Sequence, residues 1–342
     1  MRRATVHDLA RIAGVSLATV DRVLNRRGGV RAATIEKVEQ AIDRLGYRRD
    51  AAAATLAKRR EYRLAFVIPT GANSFLASLA VEVRKLADVL RSERVFLSIV
   101  EVPPFDGEAL VEALDRLQSQ PLTGVAVVAT DHAPVRLAIS GLAARGVGVV
   151  TLVSDSPGSG RAQYVGIDNS AAGRTAGSLM GRFLRGVSGR IAVVAGSMLL
   201  RDHAERRFGF EQVLRTEYPL LTPLPAVEGH DNAADAEAAL GAELDRHRDV
   251  VGVYSLGAGN RGVLAALRKR GLSGTVCAIA HELTEHSRTA LADGSFAAIL
   301  CQDPGHEARS AVRILRALAD GAPFDSGQER IRIDVYLRDN VP

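Results

Sequence analysis

The stretch TVHDLARIAGVSLATVDRVLN, Thr5 to Asn25, divides at Gly14 into two short amphipathic segments. Thr5-Val6-His7-Asp8 has capping-box spacing, with Thr5 as N-cap and Asp8 in place of the usual Glu. Leu9, Ile12 and Ala13 then share one helical face. Gly14 stands at a helix C′ position, where glycine accepts the left-handed conformation, and Ser16 caps the next helix. That second segment, LATVDRVLN, turns Val20, Val23 and Leu24 inward and leaves Leu17, Ala18, Asp21 and Arg22 outward. Two short helices joined by a Gly-containing break form a helix-turn-helix. A third segment, AATIEKVEQAIDRLGY, completes a small core with Ile35, Val38, Ile42 and Leu45. The pattern alone also fits an ordinary three-helix bundle, but its polar side carries Arg11, Arg22, Arg26, Arg27 and Arg31, which favours DNA.

Charge points the same way. Residues 1–63 hold 15 Lys and Arg against 7 Asp and Glu, a net +8, whereas the remainder of the chain nets −3. A small basic head on a mildly acidic body is an electrostatic footprint for nucleic acid. The length of 342 residues predicts two or three domains, and 47% apolar residues excludes a disordered chain. No apolar run approaches the roughly 18 residues of a membrane span. The basic N-terminus lacks the apolar region of a secretory signal, so a cytoplasmic protein is expected. Cys277 and Cys301 sit in strand-like apolar runs and read as buried free thiols of a reducing compartment.

The string from Ala4 to Arg60, with its Ala-Gly-Val-Ser, Thr-Val and Arg-Val-Leu-Asn elements in register, closely resembles the DNA-binding head and hinge of the LacI family of bacterial repressors. The resemblance implies that Leu17, Ala18 and Arg22 reach base edges in the major groove, while Ser16, Thr19 and Asn25 hold phosphates. Thr5 counts with the same DNA-binding set. The chemistry agrees: Arg22 offers a bidentate pair to guanine O6 and N7, worth roughly 1–3 kcal/mol of discrimination. Leu17 and Ala18 offer only apolar contact, for instance to a thymine methyl.

Some residues depart from that pattern. Asp21 stands where most relatives carry Ser, and a carboxylate there repels phosphate. It pairs with Arg22 or Arg26, accepts from a cytosine amino group, or tilts away; the sequence leaves all three open. Arg31 occupies the usual Ser/Thr cap of the third helix. The segment RRDAAAATLAKRR, next along the chain, has Asp50 as a cap and helix-favouring alanines, yet is too short to be stable alone. By resemblance it is the hinge helix, ordered when two copies meet in the minor groove, with Leu56 as the wedge between base steps. Arg49 replaces the common Pro there and Ala54 the common Arg. The alternative is an Ala-rich linker with no DNA contact.

From Leu64 onward, strand-like runs such as RLAFVI, GVAVVAT and GRIAVVA alternate with helical stretches such as FLASLAVEVRKLADVLR. This rhythm predicts parallel sheets covered on both faces, and its length predicts two doubly wound lobes. The expected fold is therefore a small all-α helix-turn-helix head and hinge helix, then an α/β two-lobed body of doubly wound parallel sheets. That body resembles the type I periplasmic sugar-binding fold that the LacI family carries as its effector domain. The expected domains are 1–48 for the head, 49–62 for the hinge and 63–342 for the body. Within the body, the N-lobe covers about 63–167 and 303–329, the C-lobe about 168–302 and 330–342, with crossovers near Asp168, Gln302 and Arg330.

The resemblance also supplies effector-binding residues. Asn73 matches a polar anchor and Phe75 a sugar-stacking aromatic. Arg206, in HAERRFGF, matches an arginine that grips ligand oxygens. Asn260 sits at a helix start that often carries an amide, Glu282 replaces a usual Asp, and Gln302 matches a crossover Gln. Leu76 stands where sugar binders often have a second aromatic, and His230 lies near another aromatic position. Ser154 and Asp155 replace an Asp-Arg pair, so the implied ligand is carbohydrate-like but not obviously ribose or galactose. Planar polar groups at strand ends suit hydroxyl-rich ligands. A plain surface-loop position is the alternative for Asn73, Asp155 and His230.

Two motifs point elsewhere. GAGNRG, Gly257 to Gly262, spells G-x-G-x-x-G after an apolar run, with Glu282 twenty residues on, as in a dinucleotide fingerprint. Such a fingerprint normally marks the first βα turn of its unit, whereas this one lies in the second lobe with Asn260 inside it. HELTEH, His281 to His286, spaces its histidines five apart, about 140° around a helix, and misses the four-residue spacing of a zinc helix. No nucleophile elbow or Walker loop occurs. Hence no catalytic residue, metal or cofactor is expected. The expectation is a ligand-responsive repressor with a sugar, polyol or sugar-acid effector. It would bind a near-palindromic operator as a homodimer, with no membrane partner; the lack of a heptad segment after Pro342 favours the dimer. The alternatives are an NAD(P)-dependent oxidoreductase and a sugar-uptake binding protein.

Overall fold

In a computed structural model, the structure describes residues 4–24, 28–45, 47 and 60–342. They divide into two units, with the boundary between Arg60 and Glu61. Asn25, Arg26, Arg27 and the expected hinge from Arg49 to Arg59, including Leu56, lie outside the described residues.

In the first unit, α1 (Val6–Ala13), α2 (Leu17–Leu24) and α3 (Ala32–Leu45) close over Leu9, Val20, Val38 and Ala41. The α1 cap is a true capping box: Thr5 N donates to Asp8 Oδ2 at 3.0 Å and Asp8 N donates back to Thr5 Oγ1 at 3.3 Å. Gly14, at φ 65°, ends the helix. Two packing expectations shift. Ile12 is exposed, and the buried position on α3 beside Val38 is Ala41 rather than Ile42, which is half-buried.

The second unit is built on two sheets. β1 (Tyr62–Pro69), β2 (Val95–Val102), β3 (Gly124–Val127), β4 (Gly148–Leu152) and β5 (Gln163–Val165) form the first, in the order β2-β1-β3-β4-β5, all parallel. Central β1 is buried from Leu64 to Ile68, as a strand covered on both faces must be. Helices α4 (Ser74–Leu90), α5 (Gly107–Gln118) and α6 (Ala133–Ala144) make its first three crossovers.

The second sheet comprises β6 (Gly189–Ala195), β7 (Leu221–Pro223), β8 (Val227–Glu228), β9 (Val250–Ser255), β10 (Cys277–His281), β11 (Ala298–Cys301) and β12 (Asp334–Tyr336). Its order is β12-β11-β10-β9-β6-β7, with β8 beside β6 and only β12 antiparallel. Its helices are α7 (Asn169–Phe183), α8 (Arg201–Glu217), α9 (Ala233–Arg246), α10 (Asn260–Lys269) and α11 (Glu285–Ala292), while α12 (Pro304–Asp320) returns to pack on β3, β4 and β5 of the first sheet. The chain thus passes between the sheets three times: after β5, after β11, and between α12 and β12. Of the run RIRIDVYL, only Asp334–Tyr336 is strand. β7 and β8, of three and two residues, are too short for any hydrophobic period to betray them. Both cysteines are free, and burial pushes both thiols up.

This topology determines where a site forms. In each sheet the strand order reverses beside the first strand, between β1 and β3 in one and between β6 and β9 in the other. Ligands of open α/β sheets sit outside the carboxyl ends of the strands at such switch points. The loops concerned carry Asn73, Val128, Leu200 and Gly257, and all four line one chamber.

Candidate functional site

On the head, Leu17 is 44% exposed, and Ala18, Asp21 and Arg22 join it on one solvent-facing side of α2 while Val20 is buried. Ser16 Oγ accepts from Thr19 N at 3.2 Å, and the two hydroxyls lie 2.9 Å apart at the helix start. The Thr5 hydroxyl donates to Asp8 Oδ2 at 2.7 Å, so its first task is the α1 cap.

The chamber between the sheets gathers most of the expected effector residues. Asn73 caps α4, its Oδ1 accepting from Phe75 N and Leu76 N, and its Nδ2 reaches across to Asp231 Oδ2 at 2.7 Å. Phe75 and Leu76 line it from the first turn of α4. Arg206, 2% exposed, donates from Nε to Asn169 Oδ1 at 2.8 Å and from Nη1 to Leu256 O at 2.6 Å. Its Nη2 has no hydrogen-bond partner and lies 3.8 Å from Asp202 Oδ2. Asn260 donates to His281 O at 2.8 Å, and Gln302 Nε2 donates to Glu282 Oε1 at 3.0 Å.

Four buried polar atoms of this chamber, Ser154 Oγ, Asp202 Oδ1, Arg206 Nη2 and Gln302 Oε1, lack a hydrogen-bond partner in the protein, as does Asn260 Oδ1 in the pocket that adjoins it. A buried polar atom left unpaired costs about 1–3 kcal/mol, so such a group of them marks a surface built to be completed by a ligand. Backbone strain converges on the same place. Among the described residues, six non-glycine residues have positive φ, and five of them, Phe105, Val153, His230, Asp231 and Glu282, line the chamber or the pocket beside it. Such strain gathers where a site over-determines its backbone.

Two expected residues stand apart. Asp155 does not line the chamber: its carboxylate is bound by Arg161, by Thr151 Oγ1 at 2.6 Å and by Ser156 N at 2.8 Å. Burial raises its pKa, but these partners outweigh it and hold the carboxyl below its usual range. The loop DSPGSGR closes on itself, so this Asp serves the turn. His230 is exposed and lines a neighbouring apolar pocket, its ring edge-on to Phe105 at 6.5 Å between centroids.

The sequence reading missed Asp231, which accepts from Asn73 and from Ala258 N at 3.1 Å and so ties loops of both sheets together. It also missed Asp202, although its spacing four residues before Arg206 puts both on one helical face. GAGNRG forms the β9–α10 turn. A Cβ at Gly257 would lie 2.4 Å from His203 Nε2, and one at Gly262 would lie 1.9 Å from Ala233 O on α9. These glycines are required by side-chain and helix packing. HELTEH runs from the end of β10 through a loop into α11, so its two histidines share no helix.

Burial pushes the Glu282 carboxyl up to about 7, against the opposing pull of Arg206 and Gln302. Glu307, wholly buried on the first turn of α12 with neither oxygen paired, is also raised well above the usual range, by burial and then by Glu282. His281 is held neutral by burial, its Nε2 2.9 Å from the Tyr254 hydroxyl. For Glu282 the folded chain keeps its proton where the unfolded chain, near 4.5, has lost it. Its contribution to stability is therefore full below about pH 4.5 and is lost as pH rises through about 7. Glu282→Gln is expected to flatten the fall of melting temperature between about pH 5 and about pH 7, read by calorimetry. A slope equal to that of the unaltered chain would refute this assignment.

Comparison with known proteins fits the two units. Residues 64–323 match the periplasmic binding protein domain family, and residues 5–50 match the bacterial regulatory proteins of the lacI family. The chain is a LacI-family protein with a periplasmic-binding-protein body. Catabolite control protein A of Streptococcus mutans is 36% identical over 121 residues, 35% of this chain and 35% of that protein. Its counterpart in Priestia megaterium is 40% identical over 87 residues, 25% of this chain and 26% of that one. The match thus spans about a third or less of these relatives' length. Among solved structures, GanP, a glucose-galactose binding protein from Geobacillus stearothermophilus, superposes with a TM-score of 0.75 at 21% identity, covering 83% of this chain and 99% of that one. A solute binding protein of Burkholderia graminis in complex with D-arabinose gives 0.75 at 25% identity, over 82% of this chain and 96% of that one. Among the described residues no helix is long and apolar enough to cross a membrane.

Proposed function

We propose that this LacI-family chain is a cytoplasmic, ligand-responsive DNA-binding regulator of transcription that represses from a near-palindromic operator as a homodimer. A sugar or sugar-derived effector occupies the chamber around Arg206, and the chain catalyses nothing. The observation that carries the reading is the joining, in one chain, of an exposed Leu17-Ala18-Arg22 helix face and a chamber with four buried polar atoms that lack hydrogen-bond partners. Effector and operator affinities are then linked thermodynamically, each altering the other by the same factor. The family match at residues 5–50 favours this over a sugar-uptake role, for which a basic head has no use.

Selection from a pool of randomised duplexes, with and without added sugars, tests it. A two-fold-related sequence should emerge, with affinity that falls steeply with salt. No enrichment under any condition would refute the reading. Arg22→Ala should weaken preference at one base pair of each half-site by about 1–3 kcal/mol while leaving the others unchanged. Unaltered selectivity at every position would remove Arg22 from base readout.

A further inference from the structure

Polar bridges join the two sheets beside the chamber. One lies next to Val128 and Leu200, which line it. Asp131, in the loop after β3, accepts at Oδ2 from Arg201 Nη1, at the start of α8, over 3.2 Å, and Asp131 N donates to Leu199 O at 3.4 Å. The Arg201 and Asp131 side chains are 38% and 22% exposed, so solvent reaches the pair. Each charge also has a partner of its own sheet. Arg136 Nη1 donates to Asp131 Oδ1 at 2.7 Å, and Arg201 Nε donates to Glu205 Oε1 at 2.7 Å. These own-sheet bonds are the shorter ones, so parting the sheets here breaks one ion pair and leaves neither charge alone. The bridge from Asn73 to Asp231 follows the same plan, since Asn73 also caps α4 and Asp231 also holds Ala258 N. Lobes closed by a few exchangeable contacts move between two discrete arrangements. Of the two bridges, only Asp131–Arg201 joins opposite charges, and an ion pair open to solvent weakens as salt screens it.

We propose that Asp131 and Arg201 form an electrostatic latch on the chamber, which on release to Arg136 and Glu205 admits small molecules and which loosens with ionic strength. Ser154→Cys in the full chain supplies the readout, because Ser154 lines the chamber and is 1% exposed. The rate at which iodoacetamide alkylates the introduced thiol then measures how often the chamber opens. Cys301, buried and with its thiol pushed up, serves as the control for global unfolding, since it should react slowly in every variant. At about 20 mM NaCl, adding Arg201→Gln should raise the rate about two- to fivefold, the range expected of one ion pair partly open to solvent. Asp131→Asn should raise it equally, and the double variant no further. Raising NaCl to about 0.5 M should bring the latched protein towards the Arg201→Gln rate and leave that variant unchanged. Arg136→Gln should not speed alkylation, because the cross-sheet pair survives in it. Equal rates with and without Arg201→Gln at low salt, or the same salt dependence in both, would overturn the latch. So would an Arg136→Gln rise as large as that of Arg201→Gln. Neither operator nor effector enters the measurement, so its outcome is separate from the regulator reading.

Discussion

Arg206→Ala is expected to abolish the response of the body to its effector while leaving operator binding in place. The side chain is 2% exposed, and two of its three nitrogens already hold Asn169 Oδ1 and Leu256 O. Only Nη2 is left for a ligand. Removing the guanidinium deletes a charge-assisted contact worth about 1.5–3 kcal/mol. It also frees two buried acceptors and leaves the carboxylate of Asp202 without its nearby cation. Breaking a buried ionic arrangement by removing one partner costs about 3–5 kcal/mol. Affinity should therefore fall by about tenfold to a hundredfold, and the broken ionic arrangement should appear as a lowered melting temperature. Arg206→Lys separates the two effects: it keeps the charge and loses the fork that spans Asn169 and Leu256. An effector-induced rise in melting temperature that survives in the Ala variant would show that Arg206 is only structural.

How much the sequence could disclose depends on the range of the interactions involved. The head was readable almost entirely, because capping boxes, a C′ glycine and helical spacing act over three to eight residues. Asn73 and Arg206 were readable because each follows a long, apolar strand or lies in a helix of 17 residues. Asp231 was not, because the strand before it has two residues and announces no strand end. Asp155 was misread because its partner Arg161 lies six positions on, in the same turn, and register alone does not distinguish a carboxylate aimed at a cleft from one that closes its own loop.

Glu307 is legible from helical spacing: it lies on the same stripe as Ala311 and Ile314, all three fully buried. The positive φ angles at Val153 and Phe105 were beyond any sequence reading, since neither residue type favours that region. They arise from tertiary constraint, and they gather where the two sheets face each other. The residues that sequence disclosed least are thus those whose geometry depends on both sheets at once.

The position of Arg206 depends in turn on how closely α7 and α8 approach, which makes Gly173 the other sensitive point. Glycines recur every fourth residue along α7, at 173, 177 and 181, on the side facing α8. A Cβ at Gly173 would lie 1.9 Å from the carbonyl oxygen of Arg206 itself, and one at Gly209 would lie 2.1 Å from Ser170 O. Both obstacles are backbone, so no side-chain rotation relieves them. Replacing glycine by alanine in a helix interior gains about 1 kcal/mol of propensity. The overlap costs more, since backbone shifts forced by overpacking run to about 1–3 kcal/mol and above, and here α8 must move bodily. Gly173→Ala should therefore lower the melting temperature by about 5 °C, on a scale of about 2–4 °C per kcal/mol for a unit of this size. It should also weaken effector binding, because Arg206 moves with its helix. Gly177→Ala is the graded comparison: its nearest obstacles, Val213 Cβ at 3.0 Å and Phe210 O at 3.1 Å, need give by only a few tenths of an ångström. Propensity and crowding then nearly cancel. If Gly173→Ala melted at or above the temperature of Gly177→Ala, the close seam between α7 and α8 could not be what fixes Arg206.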